Sequence, residues 1–365
     1  MDIFSNYRLH LIATSLFAII LLRSCINHTT DTIHVITPSE TKPLPVINYA
    51  KGFQFERTDS TLLLKILYPS TGDVADSLYV IHPDKRRQTL GFRKTAIQST
   101  THFAFFERLN ELTSIVALCG KHYLSREQLE KAKNVTEICS ESGFNVEKIA
   151  TLQPDFLLVY PFEQKDLARF HRLGINTLLI TEYLEQTPLA RAEWLKLFGW
   201  MTNSPLLESA FEEIESVYHA HIQTSINATV ALNVPFGEYW NMPNGNSITA
   251  NLLKDAGLDY VFSNKLIEGN VELSMEEAYN VLSKADYWVI ITERQIGFTM
   301  KDLLAENKIY ATFPSVQNGK VIFCNTAEND YFSKGVIEPH IMLQDLVSCL
   351  GKKQQTTNRY FRVLI

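Results

Sequence analysis

The segment Gly143–Tyr160, GFNVEKIATLQPDFLLVY, constrains this chain more than any other stretch. Its opening Gly and Asn favour a loop or a helix cap. Val146, Ile149, Ala150 and Leu152 then recur at helical spacing, and Pro154-Asp155 stops the helix, because proline cannot continue it. Phe156–Tyr160 is a continuous apolar run of strand length, as in a strand buried on both faces. The unit therefore reads as loop, short helix, stop and parallel strand. A second copy lies at Leu273–Thr292, LSMEEAYNVLSKADYWVIIT, with Ser274 as N-cap and Tyr287–Ile291 as the strand. Two copies predict two lobes built alike. Each lobe shows a glutamate in a first helical turn, where the helix dipole favours an anion: Glu147 in one, Glu276 or Glu277 in the other. A matched acidic pair suits docking on a basic partner.

The chain has 365 residues, 45% of them hydrophobic, enough for two domains with real cores. A net charge of -6 argues against nucleic acid as a partner. Strand-like runs at Ser114–Cys119, Phe156–Tyr160 and Ile175–Ile180 alternate with helical patterns, which predicts a parallel, doubly wound sheet. Ahead of them, Phe53, Phe55, Leu62–Leu67 and Leu78–Ile81 read as an antiparallel edge addition. Ser204-Pro205 opens a long helix to about Ile226, striped by Leu207, Phe211, Ile214, Tyr218 and Ile222. The expected class is α/β, with two Rossmann-like lobes at 46–203 and 228–350 joined by one helix at 204–227. Residues 351–365 are expected to be a frayed tail. At the N-terminus, Leu9–Leu22 is apolar but short of the ~20 residues that a membrane span needs. Leu22-Arg23-Ser24-Cys25 resembles a bacterial lipoprotein signal, although Arg23 departs from the strict pattern. That predicts a signal peptide at 1–24, lipid on Cys25 and a polar tether over 25–45.

NVEKIATLQPDFLLV resembles a segment of the class III periplasmic substrate-binding proteins, the helical-backbone receptors of ABC importers for iron siderophores, haem and cobalamin. The resemblance runs over roughly Tyr49–Leu350 and is strongest at Gly143–Tyr160 and Gly237–Phe262. It implies that the long helix is a rigid spine and that ligand binds in a cleft between the lobes, at the C-terminal ends of the strands. It also implies that Glu147 and Glu276 dock on permease arginines, with Glu277 competing for the second place. The ligand-binding candidates are Thr100, Thr101, His102, Tyr123, Tyr160, Tyr239, Trp240, Arg294, Tyr331 and Phe332, with His122 and Phe162 nearby. Several have a plainer reading beside this one: Ser99–Thr101 as helix caps, His102 as a surface histidine, Trp240 and Tyr160 as core, and Arg294 as a solvated loop cation instead of a clamp for a ligand carboxylate or phosphate.

The implied function is a lipid-anchored periplasmic receptor on a bacterial membrane, which captures an iron complex (siderophore or haem) or a corrinoid. Its partners are the ABC permease and ATPase subunits. It has no cofactor, no nucleic-acid partner and no membrane contact beyond the lipid. Only His102 and His122 fall on cleft turns, so no metal site is expected. No G-x-S-x-G or H-E-x-x-H occurs, so no catalytic residues are expected. The competing readings are an enzyme, or a lipoprotein that binds a protein partner, on the same scaffold. Of the cysteines, Cys119, Cys139, Cys324 and Cys349 read as small apolar core residues. A Cys119–Cys139 bridge is the alternative in an oxidising compartment.

Overall fold

A computed structural model describes residues 35–36, 44–57, 61–81, 92–161, 164–235, 237–351 and 358–365. The leader, Cys25 and Phe162 lie outside the described residues, so the expectations attached to them rest on sequence alone. Both lobes belong to one compact unit, 34–365.

In the first lobe, β1 (Val35–Ile36), β2 (Phe53–Arg57), β3 (Thr61–Leu67) and β4 (Val74–Ile81) form a four-stranded sheet in the order β1-β4-β3-β2. The stretch expected as tether thus contributes one short parallel strand to it. This sheet abuts the main one, where Asp76 accepts the Leu179 N–H at 2.9 Å. The main sheet comprises β5 (Thr95–Ile97), β6 (Ile115–Leu118), β7 (Thr136–Glu137), β10 (Phe156–Val159) and β11 (Thr177–Leu179), all parallel, in the order β11-β10-β5-β6-β7. The hairpin β8 (Cys139–Ser140) and β9 (Gly143–Phe144) stands apart from it. Helices α1 (Thr100–Arg108), α2 (Arg126–Lys131), α3 (Val146–Leu152) and α4 (Gln164–Arg172) connect the strands. β10 carries no polar residue and is buried throughout, as a strand covered on both faces must be.

Three helices then cross to the second lobe: α5 (Pro188–Ala192), α6 (Trp194–Thr202) and α7 (Ser209–His221). α7 is 13 residues long, shorter than the expected helix over 204–227. Its stripe is buried at Phe211, Ile214 and Tyr218, but Ile222 is the C-cap and exposed, so the burial that would prolong the helix ends there. The crossing is instead a packed group. Glu193 accepts the backbone N–H groups of Asn48, Tyr49 and Ala50, and Glu185 those of Lys51 and Gly52, which pins the segment before β2 to α6.

The second lobe repeats the plan. β12 (Thr229–Leu232), β14 (Asp259–Tyr260), β16 (Tyr287–Thr292) and β17 (Val321–Asn325) are parallel, and β18 (Arg362–Val363) closes the edge antiparallel to β17, in the order β14-β12-β16-β17-β18. β13 (Tyr239–Pro243) and β15 (Asn270–Ser274) form a separate antiparallel pair. The helices are α8 (Ile248–Asp255), α9 (Met275–Leu282), α10 (Met300–Glu306), α11 (Pro314–Gln317) and α12 (Pro339–Leu350). The end of the expected frayed tail is docked. Tyr360, Phe361 and Leu364 are buried, and Asp345 accepts the Tyr360 N–H at 2.6 Å. Apolar residues at 360, 361 and 364 drive this docking, while the polar stretch 352–357 lies outside the described residues.

One apolar core runs from the first lobe (Phe105, Leu158) through the crossing helices (Phe198, Phe211) to the inner face of the second sheet (Leu232, Val289). Cys119 and Cys139 are bridged, with Cα atoms 4.9 Å apart, whereas Cys324 and Cys349 are free and buried. The expectation of four core thiols therefore holds for one pair only. Cys119 directly follows β6 and Cys139 starts β8, and Glu137 between them accepts the N–H groups of Gly120, Lys121 and Cys139, which brings the two sulfurs together. Among the described residues, no helix is long and apolar enough to cross a membrane.

Candidate ligand cleft and docking surface

In both sheets the strand order reverses beside the first strand of the lobe, and ligands of doubly wound folds bind at such switch points. Those ends face a shared cleft of about 710 Å³. The first lobe supplies Ser99, Thr100 and Thr101 after β5, and Tyr123, Ser125 and Arg126 after β6. The second supplies Glu293 after β16, and Thr326, Glu328, Asp330, Phe332 and Ser333 after β17. Tyr123 is 74% exposed and Phe332 68%, so one aromatic ring from each lobe is open to a ligand.

Local chemistry fixes these turns. Ser99 caps α1 by accepting the Thr101 N–H at 3.2 Å, and Ser125 with Gln128 forms a capping box on α2. Gly120, at φ 80°, turns the chain from β6 toward Tyr123. Asn325 holds the second-lobe rim by accepting the N–H groups of Arg294 and Ala327.

Behind the cleft wall lies a polar knot. Thr101 Oγ1 is 2.9 Å from the Tyr160 hydroxyl, which in turn donates to Glu182 at 3.0 Å. His102 Nε2 is 3.7 Å from Glu182 and Arg191 is 3.9 Å from it. Burial pushes the Glu182 carboxyl up, but His102, Arg191 and Tyr160 together hold it below the usual carboxylate range. Burial pushes the Tyr160 phenol far up.

Thr100, Thr101, Tyr123 and Phe332 stand on the cleft, as the sequence reading places them. Tyr160 sits in the knot behind it, and Tyr331 lines a small neighbouring cavity with Arg191. Burial pushes the Tyr331 phenol up to about 12. Four placements need correction. His102 is fully buried between Tyr160 and Phe198, because its position on α1 faces the core. Trp240 is also fully buried: it donates to Leu232 O at 3.0 Å and packs on Trp288, because strand alternation turns Trp240 and Met242 inward. Tyr239 therefore points outward, but it pairs with Ser274 and does not line the cleft. Arg294 is spent on Glu306, at 2.7 and 3.3 Å, and its neighbour Glu293 faces the cleft instead. Ser125, Arg126 and Thr326 escaped the sequence reading. The signal was present, since each follows directly on a strand or turn that was recognised.

The two helix starts match. Asn145 caps α3 and Ser274 caps α9, so Glu147 and Glu276 each stand second in their helix. Both side chains are exposed, and neither carboxylate has a hydrogen bond or ion pair among the described residues. Glu277 is committed to the capping box, accepting the Ser274 N–H at 2.9 Å, and its carboxyl is held low by that cap. Among the described residues, no group of three or more His, Cys, Asp or Glu is placed to hold a metal ion.

Two like lobes over an open cleft define a solute receptor. The model of the periplasmic binding protein family matches residues 96–327, more than half of the chain, and the chain belongs to that family. That family is one of binding proteins, not of enzymes. An uncharacterized lipoprotein of Methanocaldococcus jannaschii is 29% identical over 276 residues, 70% of this chain. The match spans 64% of that protein's length. A periplasmic binding protein from Veillonella parvula superposes with a TM-score of 0.60 at 14% identity, covering 83% of this chain and 99% of that one. The periplasmic heme binding protein HutB of Vibrio cholerae gives 0.55 at 14% identity, covering 70% and 99%. The siderophore periplasmic binding protein from the fuscachelin gene cluster of Thermobifida fusca gives 0.51 at 17%, covering 70% and 96%. At these identities the solved structures share the fold alone.

Proposed function

We propose that this chain is the receptor of an ABC importer. It captures an iron complex (siderophore or haem) or a corrinoid between its lobes and delivers it to the permease. The observation that carries this reading is the matched pair Glu147 and Glu276. Each occupies the same position of an equivalent helix, one per lobe, exposed and uncommitted. Carboxylates so placed add to the approach of a cationic partner without having to break an existing bond. Haem and siderophore are named for structural neighbours, while the corrinoid rests on the sequence resemblance alone. Lipid on Cys25 would hold the receptor at the membrane outside the cytoplasm, and the name of the methanogen relative agrees with that anchor.

The test is charge reversal. Glu147→Arg with Glu276→Arg should abolish ligand-dependent stimulation of the importer's ATPase and leave ligand affinity unchanged, measured side by side on the same preparations. Glu277→Gln should leave stimulation near normal. Full stimulation by the double variant would defeat the docking reading.

A further inference from the structure

The walls of the cleft carry an unequal charge. Among the described residues that line it, Arg126 is the one cation, against the carboxylates of Glu293, Glu328 and Asp330. All three acids come from the second lobe, which meets the ligand with an acidic wall. The remaining lining polar groups are hydroxyls and one amide, Ser99, Thr100, Thr101, Ser125, Thr326 and Asn329 among them, which bind neutral oxygen or nitrogen as readily as charge.

The acids are not equally free. Asp330 is answered by Lys334 at 3.6 Å and Arg359 at 3.5 Å. Glu328 accepts the Gly297 N–H at 2.7 Å, a bond that holds the rim loop but brings no positive charge. The Glu293 side chain has no partner among the described residues and is exposed. The cations behind the wall do not redress the balance. Lys334 is shared among Glu107, Glu127 and Asp330, Arg359 between Asp330 and Glu338, and Arg191 is turned to Glu182. Arg294, the cation nearest Glu293 in sequence, is held by Glu306.

We infer that this receptor selects chelates whose net charge is zero or positive, through Glu293 and Glu328, and discriminates against polyanionic ones. This rests on the importer reading above and narrows its ligand. A ferric trihydroxamate or a corrinoid fits: no excess negative charge meets the acidic wall, and their apolar faces can lie on Tyr123 and Phe332. A ferric tris-catecholate, or haem with its two propionates, would need a cluster of free cations, and among its described residues the cleft offers Arg126 alone. Charges within a Debye length of about 8 Å are poorly screened, so the acidic wall acts on the whole bound ligand.

The experiment titrates the purified chain, from residue 26 onward, with a cationic ferric trihydroxamate, cobalamin, a ferric tris-catecholate and haem, following intrinsic fluorescence at low and high salt. At least one of the first two should bind at micromolar affinity or tighter. The two anions should bind roughly tenfold or more weakly, the repulsion expected of carboxylates a few ångströms from a polyanion. High salt should narrow that gap, and so should Glu293→Gln with Glu328→Gln. Both side chains are exposed, and glutamine can still accept the Gly297 N–H, so the variant keeps the rim loop. Catecholate or haem binding as tight as the others, or a gap that the double variant leaves untouched, overturns the inference and spares the importer reading. Failure of all four ligands to bind overturns both.

Discussion

His340 lies where three elements meet: α12, which carries it, α1 with Arg108, and α7 with Glu213 and His221. It is 8% exposed, and its Nδ1 has no hydrogen-bond partner. Burial, and then the Arg108 guanidinium, push its pKa down from 6.5 to about 4, with Glu213 opposing weakly and His221 adding to the depression. The sign follows from linkage. Above the unfolded value the ring is neutral in both states and costs nothing. As pH falls from 6.5 toward 4, only the unfolded chain takes up the proton, so stability is lost in that window. A shift of this size corresponds to at most about 3 kcal/mol. Urea denaturation at pH 7 and pH 4.5 should show His340→Gln losing less stability than the parent across that interval. An equal loss in both would exclude His340 as the source. At this scale the sequence was only half legible. Tyr239 and Trp240 are adjacent aromatics with nothing in composition to separate them, yet one is exposed and the other is core. The parity of Y-W-N-M, with polar Asn241 between Trp240 and Met242, held the answer. Applying it required knowing that the stretch is a strand and not a loop before a helix. His102 failed for a related reason, since a histidine between Thr101 and Phe103 in a first helical turn reads alike whether it faces solvent or a buried carboxylate.

The elements themselves were more legible, because caps, apolar periodicity and buried strands are local signals. Asn145 and Ser274 cap where their residue types predict, and the strands that follow are buried as their unbroken apolar runs require. What could not be read was how elements are tied together. The Cys119–Cys139 bridge joins the end of β6, just before the Tyr123 turn, to the hairpin that leads into α3. Glu137 bonds the same turn, and Lys148 of α3 reaches back to Glu137 O at 2.5 Å. A cleft turn and the helix that carries Glu147 are thereby fastened to one small hub. Opening a bridge across a sequence separation of 20 should cost about 3 kcal/mol by the chain-entropy argument. Cys119→Ala with Cys139→Ala should therefore lower the melting temperature by several degrees. Dithiothreitol should do the same to the parent and nothing further to the variant. A variant melting with the parent would show that the hub is held by Glu137 alone.

At the scale of the whole molecule, the expectation of two like lobes with a cleft between them is borne out. The crossing differs from the expected single spine. It is a group of three helices through which one apolar core passes from lobe to lobe. A hinge needs a few residues free to change their backbone angles, and a shared close-packed core resists that. Ligand should therefore change the radius of gyration by no more than about 1 Å, as for pre-organised receptors. Small-angle scattering with and without ligand would decide it, and a contraction of several ångströms would mean that the core parts.

The docked strand β18 bears on the life of the protein in a crowded compartment. β17 is apolar along VIFC and buried throughout, and β18 occupies what would otherwise be its open side. An uncovered strand of that composition is a template for another chain, and pairing with it is the first step toward cross-β aggregates. Residues 358–365 thus act as a plug that each molecule supplies for itself, held by Asp345 and by the Met300 N–H donating to Ile365 O. A nick in the chain before Asn358 would leave the cleft and the helices of Glu147 and Glu276 in place, yet free that plug to leave, turning an intact molecule into a seed for its neighbours.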